Sequence, residues 1–346
     1  MKALSSNAVA TKAKAMYGKR LRKEDYQELL RKRSVNEVAA YLKNETAYSD
    51  ILDGVRENAI HRSQLEHLLK KDLYLKSQRL ANFAGVGHRQ FYDYLIRLAE
   101  IDQILNCIHA LEGIDREGYL ASIPSYFEKR SRFDFLALAH VHRFDDLLHV
   151  LRGTGYDKII AAFRPASSQD KIDSLGCERA LRKEFYESLF DVIKHTYKGS
   201  LQRQLLEIFE TSLELENMTK IYRLKKYFRA DPQLILRSLI PVRSRLSGSF
   251  IEELVQAPTD KEMMRLLSES SYQFYVGDKD YVFIEYYASE IKYHLSERYM
   301  RFSTVAPLVY ATYMSLHHIE IENIIHIIEG VRYHVAPESI EEVLIY

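Results

Sequence analysis

This sequence predicts an all-α protein made of three related helical bundles, and three observations predict it. Two short patterns each occur three times, in the same order, along the chain. The apolar residues around them fall at helical spacing. The 346 residues include only 13 Gly and seven Pro, few for a loop-rich β architecture.

The first pattern is an acidic residue, an apolar helical run and a hydroxyl-small-Tyr corner. It reads Glu37-Val-Ala-Ala-Tyr-Leu42 with Thr46-Ala-Tyr48, Asp146-Leu-Leu-His-Val-Leu151 with Thr154-Gly-Tyr156, and Glu262-Met-Met-Arg-Leu-Leu267 with Ser270-Ser-Tyr272. The corner tyrosines are 108 and 116 residues apart. Thr154 stands three residues before Asp157, a spacing that predicts a capping box opening a new helix after the Gly153 break, with Thr46 and Ser270 placed to cap likewise.

The second pattern is Glu100-Ile-Asp-Gln-Ile104, Glu214-Leu-Glu-Asn-Met218 and Glu320-Ile-Glu-Asn-Ile324. Its central acids, Asp102, Glu216 and Glu322, are 114 and 106 residues apart. Apolar residues follow the i, i+3, i+4, i+7 rule at Ile101, Ile104, Leu105 and Ile108, at Leu215, Met218, Ile221 and Tyr222, and at Ile321, Ile324, Ile325 and Ile328. Each helix therefore has one stripe to bury.

Breaks at Gly113–Gly118 and Arg229–Pro232 divide the chain into units 1–115, 116–230 and 231–346. Each unit has room for roughly four helices. The period is too long for tetratricopeptide, ankyrin or HEAT repeats, which run at about 33–47 residues.

Composition narrows the function. With 47% hydrophobic and 28% charged residues the chain is ordinary for a soluble globular protein, and net charge +1 gives no global field toward nucleic acid or lipid. Charge is unevenly placed, however. Residues 1–33 carry ten Lys/Arg against three acids, and residues 319–346 carry six Glu against Arg332. Twenty-five Tyr and no Trp suit helix seams and partner surfaces. Two cysteines, Cys107 and Cys177, imply no disulfide framework and a reducing compartment. The N-terminus lacks a signal-peptide core, and the longest uncharged stretch, Ser303 to Leu316, is too short to span a bilayer. A soluble cytoplasmic protein is expected.

Catalytic patterns do not assemble. Gly85-Val-Gly-His88 lacks the Gly span and the Lys-Ser/Thr ending of a phosphate loop. His140 and His142 diverge on a helix, and Asp146 and His149 belong to the repeat, so Asp145, Asp146 and the histidines read as surface or capping residues rather than metal ligands. The pairs Glu100/Asp102, Glu214/Glu216 and Glu320/Glu322 are i, i+2, which points the two carboxylates apart; one member is expected to face the bundle and the other water. His317-His318 reads as packed or solvated. No catalytic, cofactor-binding or metal residue is assigned, and no small-molecule substrate or nucleic acid is expected. The structural candidates are the corner residues Thr46, Tyr48, Thr154, Tyr156, Ser270 and Tyr272 and the acids Asp102, Glu216 and Glu322.

The tripled unit, the length and these landmarks together resemble one family, the C-type subunits of the archaeal and bacterial V-type ATPase/ATP synthase, whose eukaryotic counterparts are called d. The likeness runs from Ala8-Val-Ala-Thr-Lys-Ala-Lys-Ala15 and Leu21-Arg-Lys-Glu-Asp-Tyr26 through the corners to the acid-x-x-Ile helices. Ser270-Ser-Tyr272 departs from the Thr-x-Tyr form. The resemblance implies a funnel of three bundles about a pseudo-threefold axis, seated on the cytoplasmic end of the membrane rotor ring. There it would receive a central shaft made of the D and F subunits and pass torque without hydrolysing ATP. An all-helical scaffold outside rotary ATPases is the alternative.

Overall fold

The computed structural model describes residues 2–84, 89–114, 119–120, 123, 130–167, 170–272 and 284–346, with backbone alone for residues 2–7. Gly85–His88 and part of the Gly113–Gly118 break lie outside them. The described residues form an all-α protein: seventeen α-helices, a few 3-10 turns and no strand. There are more and shorter helices than four per third, because the Tyr48 and Tyr156 corners each end one helix and start another.

Two compact units divide the chain. Unit 1 comprises residues 1–92, 198–208 and 274–346; unit 2 comprises residues 93–197 and 209–273.

Unit 1 contains α1 (Lys2–Tyr17), α2 (Lys23–Leu30), α3 (Val35–Glu45), α4 (Ser49–Leu52), α5 (Arg62–Ala81), α6 (Arg89–Tyr92), α15 (Ile284–Phe302), α16 (Ala306–Arg332) and α17 (Pro337–Glu341). Its centre is α16, which is buried on every face for most of its length and packs on α1, α3, α5 and α15. A helix apolar all round can exist in water only with neighbours on all sides. Pro307 in its first turn matches the φ that a helix start needs and lacks an N–H that would go unpaired. Helix α5 brings Leu65, Leu69, Leu73 and Leu80 to that centre. Ser77 on α5 meets the Tyr310 hydroxyl at 2.6 Å, and Tyr310 donates on to the Tyr92 carbonyl at 2.6 Å.

Unit 2 contains α7 (Tyr94–Leu111), α8 (Phe144–Val150), α9 (Tyr156–Ala161), α10 (Ser174–Thr196), α12 (Pro232–Ser238), α13 (Gly248–Gln256) and α14 (Asp260–Ser268). It also holds the part of α11 (Gly199–Phe228) from residue 209 onward. Helices α7 and α10 pack along each other with Ile104, Ile108, Leu181, Phe185 and Ile193 inside.

Local chemistry sets the helix starts. Ser34, Asp173, Asp231, Ser247 and Thr259 each accept a hydrogen bond from a first-turn N–H, as N-cap residues do. The acid opening the first pattern has a repeated role as the third residue of its helix. Glu37 accepts from Arg33 N–H at 2.9 Å and Asp146 from Arg143 N–H at 2.9 Å, while Glu262 N–H is capped by Thr259.

Candidate functional site

The three corners are built alike. Thr46 donates to the Leu42 carbonyl at 2.5 Å and accepts from Tyr48 N–H at 3.2 Å. Thr154 donates to Leu151 at 2.6 Å and accepts from Tyr156 N–H at 3.1 Å. Ser270 does the same with Leu267 at 2.6 Å and Tyr272 N–H at 3.1 Å. The hydroxyl thus joins the last turn of one helix to the tyrosine backbone. At Thr46 and Thr154 it is not the helix N-cap expected from sequence: Tyr48 is the N-cap of α4 and Gly155 that of α9, at φ +91°, where Asp157 accepts from Gly153 and Gly155 N–H, while the segment that Ser270 is expected to cap lies outside the described residues. A short side chain so close to a helix end finds the free carbonyl first.

Each corner aims its tyrosine at a buried carboxylate. Tyr48 donates to Glu320 at 2.7 Å, Tyr156 to Glu100 at 2.8 Å, and Tyr272 to Glu214. These glutamates are 8, 1 and 2% exposed. They stand two residues before Glu322, Asp102 and Glu216, so the first member of each acidic pair is the one turned inward. The pairing is displaced along the chain: a tyrosine of one sequence third meets the glutamate of the preceding third, and the first third meets the last.

A buried carboxylate needs several donors, because leaving it under-bonded costs about 1–3 kcal/mol or more. Backbone amides supply the next one. Leu21 N–H donates to Glu320 at 2.8 Å, Arg132 N–H to Glu100 at 2.6 Å, and Arg245 N–H to Glu214 at 2.8 Å. All three amides belong to an Arg-apolar pair, Arg20-Leu21, Arg132-Phe133 and Arg245-Leu246, a third repeated signal too short to stand out in the sequence. In unit 2 the arginine side chain adds its charge: Arg245 Nη2 is 2.8 Å from Glu214, and Arg132 Nε is 3.9 Å from Glu100.

The amide of the second pattern works beside the glutamate. One turn on, on the same helix face, Asn217 accepts from Ile240 N–H at 2.9 Å and donates to Ile240 C=O at 3.1 Å. Asn323 treats Ile345 in the same way, at 3.1 and 2.7 Å. Gln103, the third of the set, is buried, with Oε1 unpartnered among the described residues.

Unit 1 partners its glutamate differently. His317 lies between two carboxylates, Nε2 2.8 Å from Asp72 and Nδ1 3.4 Å from Glu320, and Lys76 pairs with Asp72 at 2.6 Å. The imidazole is stacked between the Tyr48 and Tyr313 rings. Burial pushes Glu320 and Asp72 upward, but the bonds from His317, with Tyr48 and Leu21 for one and Lys76 for the other, hold both below the usual carboxylate range. For Glu100 burial prevails and the carboxyl is raised, despite Arg132 and Tyr156. Tyr48, Tyr156 and Tyr272 are all raised, by burial first and the adjacent glutamate second, so they remain donors.

The second acids face outward and pair where they can. Arg182 joins two of them, with Nη2 2.6 Å from Asp102 and Nε 3.6 Å from Glu216, and Tyr186 donates to Glu216 at 2.9 Å. Glu322 is half-buried. His317 is buried and His318 exposed. Among the described residues no cluster of three His, Cys, Asp or Glu could hold a metal, and Asp146 serves the backbone of His142 and Arg143. No described helix is long and apolar enough to cross a membrane. These sites are joints between helices: apart from Gln103 Oε1, the donors and acceptors described here are consumed by one another.

Comparison with known proteins agrees with the family resemblance. The ATP synthase (C/AC39) subunit family matches residues 9–343. The C-type subunit of the A-type ATP synthase of Methanosphaera stadtmanae is 23% identical over 272 residues. That match covers 77% of this chain and just under two thirds, 66%, of the relative's length. With the family match running through all three corners and all three buried glutamates, this chain belongs to the ATP synthase (C/AC39) subunit family.

Proposed function

We propose that the chain is a non-catalytic rotor adaptor of a V-type ATPase/ATP synthase. In this reading it couples a central shaft, made of the D and F subunits, to the membrane rotor ring and transmits torque for ion transport. It works at the cytoplasmic face, held to the membrane through protein partners. The sequence thirds 1–115, 116–230 and 231–346 are proposed as pseudo-threefold related bundles that close into a funnel.

The observation that carries this reading is the threefold recurrence of one joint in a chain whose family is that of an ATP synthase subunit. A torque-bearing part has to be stiff. Close-packed helices transmit strain, and a buried charge-assisted bond between tyrosine and glutamate resists sliding of the elements it joins. The consumed polar groups in these joints favour a mechanical over a chemical role.

The test is affinity purification of a tagged chain from its native membranes in mild detergent. The expected result is recovery of a proteolipid ring and the shaft proteins together. Deleting the chain should leave ATP hydrolysis by the soluble sector while abolishing ATP-driven ion movement. Recovery of neither partner would return the alternative, a helical scaffold outside rotary ATPases.

A further inference from the structure

Unit 1 contains a cavity of about 660 Å³, within the range of roughly 300–1,000 Å³ typical of small-molecule sites. Its wall brings together six cations from four places in the chain: Lys12 on α1, Lys19 and Arg20 after it, Arg22 and Lys23 at the start of α2, and Arg79 on α5. None of the six forms an ion pair with a described carboxylate. Lys12 rests over the Phe83 ring, while Arg20 lies over the Tyr17 ring and donates to the Tyr17 carbonyl. Lys76, also in the wall, is committed to Asp72.

Two carboxylates, Glu320 and Asp50, line the same wall and offset part of this charge, leaving the cations in excess. Glu320 is engaged by Leu21 N–H, Tyr48 and His317, and Asp50 is on the exposed surface. Asp25, close in sequence, is turned to Arg22 N–H and the Tyr41 hydroxyl and does not line the cavity. The chain as a whole is almost neutral, at net charge +1, so the concentration of positive charge here is a local arrangement. Like charges gathered around a concavity repel one another and focus the field into it, which favours an anion inside.

The rest of the wall narrows the anion. Tyr17, Tyr293 and Tyr346 also line the wall, with Arg20 over the Tyr17 ring and the Tyr346 ring stacked on Tyr26. Arg20, Arg22 and Arg79 offer guanidinium forks, whose geometry matches phosphate oxygens in pairs. We propose that this cavity binds a ring-bearing organic polyphosphate, of the nucleotide or inositol-phosphate class, as a ligand and not a substrate. The phosphates sit among the arginines and lysines, and the ring lies against the tyrosines. The proposal is independent of the rotor reading and can fail without it.

The experiment is titration calorimetry on the purified full-length chain with ATP and, separately, inositol hexakisphosphate. A parallel arm measures sedimentation with vesicles containing phosphatidylinositol bisphosphate, which separates a free ligand from a lipid headgroup. The comparison variant is Lys19→Gln/Arg22→Gln/Lys23→Gln, three exposed side chains whose removal should leave the melt unchanged. Saturable binding at one site per chain, weakened at least about tenfold in the variant, supports the proposal in either arm. No saturable binding up to about 1 mM in any arm overturns it. Equal binding by the variant, or equally tight binding of a glutamate-rich peptide, overturns it as well.

Discussion

The Tyr48 hydroxyl donates to Glu320 at 2.7 Å across 272 positions of sequence, tying the first corner to the last acidic helix. The corresponding pairs Tyr156–Glu100 and Tyr272–Glu214 span 56 and 58 positions. One joint is therefore made three times, and the long separation in unit 1 is what a cyclic displacement of the repeat requires when the chain has only two ends. The joint fuses local and global structure. A hydroxyl turn fixes the tyrosine backbone, burial fixes its ring, and its hydroxyl can then reach a carboxylate supplied by a distant helix.

Removing the ring at one joint should show how much that fusion is worth. Tyr156 is 1% exposed, so Tyr156→Ala should cost about 2–4 kcal/mol, in line with core truncations. Tyr156→Phe keeps the ring and takes one donor from Glu100, for a loss of about 1–3 kcal/mol. Denaturant melts of the two variants check both values. A Tyr156→Phe melt equal to that of the parent would mean that Glu100 finds another donor.

The parts legible in sequence are those whose signal is contiguous. Helical spacing around Ile101–Ile108 and Ile321–Ile328 is read directly, and so is the recurrence of Thr-Ala-Tyr48, Thr-Gly-Tyr156 and Ser-Ser-Tyr272. The acidic pairs are visible too, but which member turns inward depends on where a neighbouring helix lies. A spacing of two residues fixes only that the members diverge. The amides of Leu21, Arg132 and Arg245 escape sequence reasoning because a backbone donor leaves no mark of its own; the short Arg-apolar pair at each place is the available trace. The His317–Asp72 contact is of another kind, since the residues are 245 positions apart and no repeat announces it.

Gly155 separates backbone strain from packing. Its φ is +91°, and an added Cβ would meet nothing within 4 Å. Gly155→Ala should therefore lose about 1–2 kcal/mol purely from the left-handed backbone. Gly330 is the opposite case: φ is ordinary, but a Cβ would lie 2.3 Å from the Ile340 side chain. A double variant, Gly330→Ala with Ile340→Val, should recover part of the Gly330→Ala loss, whereas no neighbouring change should rescue Gly155→Ala. Thermal melts of the parent and the three variants decide it.

The asparagine clamps test the acidic helix one turn beyond the glutamate. Asn323 holds both polar groups of Ile345, and Asn217 both of Ile240, at buried positions. Asn→Ala at either site strands a donor and an acceptor, each worth about 1–3 kcal/mol. Asn→Asp should be nearly as costly, since a carboxylate can accept from the N–H but has nothing to give the carbonyl. Hydrogen exchange at the Ile345 and Ile240 amides should accelerate in the matching variant and in that variant alone.

The buried glutamates should respond to pH with different signs. Glu320 and Asp72 sit below the ordinary carboxylate range because His317, Tyr48, Leu21 N–H and Lys76 favour their charged forms over the cost of burial. Their stabilisation is present in full above the unfolded pKa of about 4 and is lost as pH falls through the lowered folded values. Glu100 is raised by burial, so its contribution runs the other way: the folded state loses stability as pH climbs from about 4.3 through the raised value, then holds constant. In Tm measured between about pH 3 and 7, the deficit of Glu320→Gln against the parent should be smallest at the acid end and grow to a plateau. Glu100→Gln should instead gain on the parent as pH rises over the same interval, because it removes the penalty of charging a buried carboxyl. Parallel pH profiles for the two substitutions would mean that His317 and Arg132 act as equivalent partners, contrary to the geometry, in which one touches its glutamate from within the core and the other reaches in from the surface.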